Sequence, residues 1–172
     1  RTCSQLFVGL DSDFWVTYPL KKESSNGNAL QDYTRTHGCP NIIKTDNAQS
    51  ELGQTWTKHC RTHAIASEMT EPHHPWQNPA EKRIGYLSVM VKNVMRTFDV
   101  PLSRHQWAQK WCCDVHNIAA NRKLNWRSAK ERKTGYTPDI SMFRFHLWEP
   151  IWYYEPHTKQ PANSLKKARW LG

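Results

Sequence analysis

The chain has 172 residues, 38% of them hydrophobic and 12% aromatic, with nine tryptophans and a formal charge of +9. That aromatic load excludes a disordered chain, because burying rings offsets the entropy of ordering. The charge suits a polyanionic partner such as nucleic acid. No apolar run approaches the roughly 20 residues of a membrane span, and no signal peptide opens the chain. The five cysteines, Cys3, Cys39, Cys60, Cys112 and Cys113, show no paired spacing, so reduced thiols inside a cell are expected rather than a disulfide framework. Arg1 in place of methionine reads as a fragment boundary.

In chain order, Gln5 to Leu10 and Phe14 to Leu20 read as two strands of a hairpin around the turn Asp11-Ser12-Asp13. Ser24-Ser25-Asn26 opens a helix with Ala29, Leu30 and Tyr33 as its apolar stripe and Gly38 as its stop. Asn41 to Thr45 is a short β-branched strand ending at Asp46, Leu52 to Ala64 a second helix, and Ile65 to Thr70 a fourth strand. Glu71 to Pro79, with three prolines and His73-His74, is a loop. A long helix follows, with Pro79 in its first turn. Its Ile84, Leu87, Val91, Val94 and Phe98 fall within about 80° at 100° per residue and predict a core-facing stripe. Arg104 to Arg122 is predicted helical from Trp107, Trp111, Val115 and Ile118. Lys123 to Lys133 is basic and polar, either a DNA-backbone surface or a solvated loop. Short strands are expected near Trp148 to Tyr154. The order of elements predicts an α/β fold, a mixed sheet flanked by helices.

Two acids stand out. Asp46 closes the Ile42-Ile43 strand, and Glu81 lies in the first turn of the long helix. Carboxylates at a strand end and a helix start suit Mg²⁺ or Mn²⁺, hard ions that share oxygen ligands with phosphate. Such ions support in-line phosphoryl transfer. The plainer reading is a turn aspartate and a helix-dipole partner.

The flanking residues favour the first reading. Thr45-Asp46-Asn47-Ala48, with Thr70 to Arg83 and its Pro75-Trp76-Gln77-Asn78-Pro79-Ala80-Glu81, resembles the catalytic core of copia-type retrotransposon integrases. Tyr18-Pro19-Leu20, Gly135-Tyr136-Thr137-Pro138, Trp148 to Tyr154 and Arg169 to Gly172 resemble further stretches of that family. The resemblance implies a ribonuclease-H-like fold over residues 1–142, lacking its first strand, and a C-terminal β extension over 143–172. It implies a metal-dependent polynucleotidyl transferase that processes the 3′ ends of element DNA and joins them to target DNA. Asp46 and Glu81 match the second and third of three catalytic and metal-holding acids; the first falls before Arg1, leaving this fragment inactive alone. Asp11 and Asp13 are read as turn residues, not substitutes.

Gln77, Asn78, Lys82, Lys92 and Arg96 are candidate DNA contacts. Lys92 and Arg96 project within about 60° of Glu81 on the helix, either toward phosphates or as a solvated basic face. Asn78 serves equally as a helix cap. His73 and His74 read as loop rather than metal ligands, Trp76 as a wedge against the domain, and His116-Asn117 as a partly buried polar pair. The family implies DNA as partner, a homo-oligomer, no membrane and a nuclear place of action. A ribonuclease-H-like nuclease and a non-catalytic DNA-binding remnant are the alternatives.

Overall fold

The computed structural model describes residues 3–45, 53–70, 79–156 and 164–172. The chain folds as two compact units, one over Arg1–Asp11 and Trp15–Tyr86, the other over Ser12–Phe14 and Leu87–Gly172.

In the first unit, β1 (Cys3–Val8) and β2 (Trp15–Leu20) form the expected antiparallel hairpin, with Phe7 opposite Val16. The helix α1 (Asn26–His37) follows a short 3-10 turn and ends at Gly38, whose φ of 86° is costly for a side-chain-bearing residue. The Ala29 and Leu30 side chains are buried, as their spacing predicts. β3 (Ile42–Thr45) and β4 (Ala66–Met69) pair in parallel across α2 (Gln54–Thr62). Both strand directions of a mixed sheet are therefore present. Among the described residues no ladder joins the hairpin to the parallel pair. The core is Leu30, Trp56, Cys60 and Ile65, against which Phe7 of β1 and Ile43 of β3 both pack. Phe7 stacks on Tyr33 with centroids 4.7 Å apart. The helices α1 and α2 lie close together at Gly27, where a Cβ would lie 2.8 Å from Thr55 side-chain atoms.

The long helix α3 (Pro79–Thr97) runs from the first unit into the second. Leu87 and Val91 are buried as expected, but Ile84 is 52% exposed, so the core-facing stripe starts one turn later than its period suggests. In the second unit α4 (His105–Ile118) buries Ala108, Cys112, Cys113 and Asn117, and leaves Trp107 41% exposed. The expected tryptophan stripe is thus rotated: small side chains occupy the tightest contacts. Trp111 instead meets Phe98 and Phe143 edge-on. A two-residue ladder joins β5 (Ala120–Asn121) to β6 (Arg127–Ser128). Ser128 then caps α5 (Ala129–Thr134) by accepting from the Glu131 N–H at 3.0 Å. The C-terminal strands are β7 (Pro150–Tyr154) and β8 (Leu165–Arg169), an antiparallel hairpin.

All five cysteines are free thiols, with Cys60, Cys112 and Cys113 buried. Neighbouring positions on α4 place Cys112 and Cys113 in packing roles, and burial pushes the Cys112 thiol up to about 12. Among the described residues no helix is long and apolar enough to cross a membrane.

Candidate functional site

The parallel ladder sets the geometry of the sheet edge. Ile42 pairs with Ala66 and Thr45 with Met69, so β3 and β4 end level with one another. Beyond the last pair, the Thr70 N–H donates to the Thr45 carbonyl at 3.0 Å, and the Thr70 hydroxyl reaches the same oxygen at 3.3 Å. Thr45 is buried. On the sheet surface Lys44 and Glu68 lie 3.1 Å apart, an exposed pair worth about 0–1 kcal/mol. The carboxyl ends of parallel strands are where open α/β sheets receive ligands.

Glu81 stands in the first turn of α3, two residues after the helix-opening Pro79. It is exposed and, among the described residues, its carboxylate makes no ion pair or hydrogen bond. The helix dipole favours a negative charge there. Lys82 holds its ammonium 5.9 Å from the Tyr86 ring one turn on, a contact that also keeps it at the surface. Lys92 and Arg96 are exposed on the same helix and belong to the second unit.

Asp46, Gln77 and Asn78 lie outside the described residues, as do His73, His74 and Trp76. Among the described residues no group of three or more His, Cys, Asp or Glu side chains gathers as a metal cluster. Glu81 is thus the one predicted metal-holding acid whose place is described. Also in the first unit, a polar cleft of about 470 Å³ is lined by Gln31, Gln54, Thr55, Lys58, His59 and Thr62. None of the predicted site residues lines it.

The two turn aspartates differ. Asp11 is exposed, whereas Asp13 is held at a φ of 51° with its carboxylate 3.6 Å from Nε2 of His116. Nε2 donates to the Asp13 carbonyl at 3.0 Å, and the Asn121 amide donates to the Asp13 carboxylate at 3.4 Å. Asp13 is committed to tying the β1–β2 turn to α4 and β5. His116 is half-buried and Asn117 buried, in keeping with the partly buried polar pair read from the sequence. Local pattern gives no sign of the Asp13 contact, because 103 residues separate it from His116.

One part of the basic stretch Lys123 to Lys133 needs correction as a DNA surface. The Lys133 ammonium lies 4.2 Å from the Phe14 ring centroid, and burial pushes its pKa down. Its charge faces a ring and is partly withdrawn from water, so it does not present itself to phosphate.

No protein-family model matches the chain, and no curated protein matches it. Solved structures do. The integrase catalytic core domain of HTLV-2, in complex with magnesium, matches in its trimeric form with a TM-score of 0.63 at 19% identity, covering 77% of this chain and 84% of that one. Its dimeric form matches with a TM-score of 0.62 at 15% identity, covering 78% of this chain and 85% of that one. A simian T-cell lymphotropic virus intasome, in complex with the PP2A regulatory subunit B56 gamma, matches with a TM-score of 0.64 at 16% identity. That match covers 96% of this chain and 65% of the other. The α/β architecture is therefore ribonuclease-H-like, the fold of integrase catalytic cores.

Proposed function

We propose that this chain is the greater part of the catalytic core of a copia-type retrotransposon integrase, a metal-dependent transferase that processes and joins DNA ends. The observation that carries this reading is the level ending of β3 and β4 at Thr45 and Met69, followed in sequence by Asp46 on one side and the Glu81 helix on the other. The fold shared with integrase cores supports it, as do the sequence phrases around Asp46 and Glu81. Residues 1–142 would form the core and 143–172 an extension.

Asp46 and Glu81 would hold Mg²⁺ or Mn²⁺. The donor chemistry fits: both are hard oxygen ligands, and the Glu81 carboxylate is presented to solvent. A divalent ion there would stabilise charge as a phosphate ester is displaced in line. The magnesium in the HTLV-2 cores supports the choice of ion, and their trimeric and dimeric forms support an oligomer. Lys82, Lys92 and Arg96 would position DNA phosphates by charge, with Gln77 and Asn78 contributing hydrogen bonds. The first acid would come from sequence upstream of Arg1, and the place of action would be nuclear.

The test is a strand-transfer assay with element-end oligonucleotides and a chain extended upstream. Metal-dependent joining, abolished by Glu81→Gln and by Asp46→Asn, is the expected outcome. Cleavage of RNA–DNA hybrids without joining would favour a nuclease. DNA binding with no metal-dependent activity, unaffected by Asp46→Asn, would leave a DNA-binding remnant.

A further inference from the structure

The C-terminal hairpin carries a surface that the reading above leaves without a role. Strand alternation places Trp152 and Tyr154 of β7 on one face with Lys167 and Leu165 of β8, Trp152 directly opposite Lys167 and Tyr154 opposite Leu165. This face is open: Trp152 is 66% exposed, Tyr154 64% and Leu165 51%. On the other face Ile151 and Ala168 are half-buried and Tyr153, at 43%, is less exposed than either ring of the first face. Two large rings turned to solvent side by side contribute little to folding and form an apolar patch that calls for an occupant.

The charges around the patch indicate which one. Glu155 is paired with Lys166, and Glu149 lies 3.5 Å from Nε2 of His146. Lys167 forms no ion pair among the described residues. At the base of the hairpin two guanidinium groups approach the Trp148 ring, Arg104 at 6.0 Å and Arg169 at 5.6 Å from its centroid. Arg169 is fixed there by donating to the Trp148 carbonyl at 3.1 Å. The surface thus combines two accessible rings, about 7 Å apart along one strand, with fixed and free cations and with its acids already engaged. Rings take bases by stacking and cations take the phosphates between them. In a duplex the base faces are hidden against one another, so only unpaired nucleotides can use both features.

The geometry points to the β7–β8 hairpin as a binding site for single-stranded nucleic acid, with Trp152 and Tyr154 stacking successive bases and Lys167 and Arg169 holding the backbone. Binding there does not depend on catalysis at Glu81.

The test measures anisotropy of a labelled oligothymidine and of a duplex of equal length, in a Glu81→Gln background so that the result is separate from any transferase activity. Single strand is expected to bind more tightly per nucleotide than duplex. The double variant Trp152→Ala, Tyr154→Ala should lose about tenfold or more in single-strand affinity, with duplex binding within about twofold. Lys167→Gln keeps both rings and should lower the salt slope for single strand by about 0.7. Equal binding of both forms, untouched by the ring variant, overturns the proposal. So does a concentration-dependent dimer that the ring variant abolishes while oligonucleotide binding stays as it was, since a second copy would then be the occupant.

Discussion

The Asp13 carboxylate lies 3.6 Å from Nε2 of His116, and the same imidazole N–H donates to the Asp13 main-chain carbonyl. Both side chains are largely withdrawn from water, at 15% and 19% exposure. Asp13→Ala removes the carboxylate and leaves the Asn121 amide without that acceptor. A loss of about 1–3 kcal/mol is expected, read as a lower urea midpoint at unchanged slope. Metal dependence of any activity should stay the same, because this carboxylate is committed to the turn.

At Gly27 α1 lies close against α2. A methyl group there would meet Thr55 Cβ and Cγ2 at 2.8 Å and the Trp56 nitrogen at 3.1 Å. The backbone atom cannot swing aside, so Gly27→Ala should force the helices apart at the edge of the Leu30–Trp56 core. Overpacking of this kind costs about 1–3 kcal/mol, despite the better helix propensity of alanine. Thermal unfolding of the variant measures it; an unchanged midpoint would show that the helices do not pack this tightly.

The His59 imidazole gives a pH dependence of known sign. The Thr34 hydroxyl donates to the Gln31 carbonyl, so His59 Nε2 must donate to Thr34 Oγ1 across 2.9 Å. Burial, and secondly the neighbouring His63 ring, push the His59 pKa down in the folded state. A depressed histidine is neutral in both states above about pH 6.5 and contributes nothing there. Below that value the unfolded chain takes the proton first, so stability falls as pH is lowered toward the folded pKa. His59→Gln should flatten that acid slope in urea midpoints taken between about pH 7 and 5.

Thiol titration should divide the cysteines three to two. Cys60, Cys112 and Cys113 are buried, and desolvation raises the Cys60 and Cys112 thiols. Only the thiolate reacts. A disulfide reagent at neutral pH should therefore modify exposed Cys39 and half-buried Cys3 in the native protein, with the other three appearing on denaturation. Fast modification of all five would contradict the packing of α4.

Element positions were legible in the sequence wherever a period was long or a stop signal was strong, as with Gly38 after α1 and Pro79 at the start of α3. What the sequence hid was the identity of the tightest contacts. On α4 the largest apolar residues drew the eye to Trp107, yet close packing selects Ala108, Cys112 and Cys113, whose small size lets neighbours approach. Ile84 obeys the helical period and is still exposed, because period specifies a face but not where its cover begins. Lys133 reads as a solvated cation, and only the fold brings Phe14 to it across the chain. For the candidate site, the helix start that carries Glu81 was legible from Pro79, whereas Asp46 lies outside the described residues. The parallel register of β3 and β4, at whose end Asp46 follows in sequence, is something no local pattern encodes.

Among the described residues the four strands of the first unit form two separate ladders, which has a colloidal consequence. Each outer strand offers main-chain donors and acceptors to any extended neighbour, the usual route to sticky protein stocks. Pro19 in β2 lacks one such donor, and the charged Lys44 and Glu68 roughen the other pair. These guards are modest. Turbidity should therefore climb with chain concentration, and solutions of this protein should keep best when dilute.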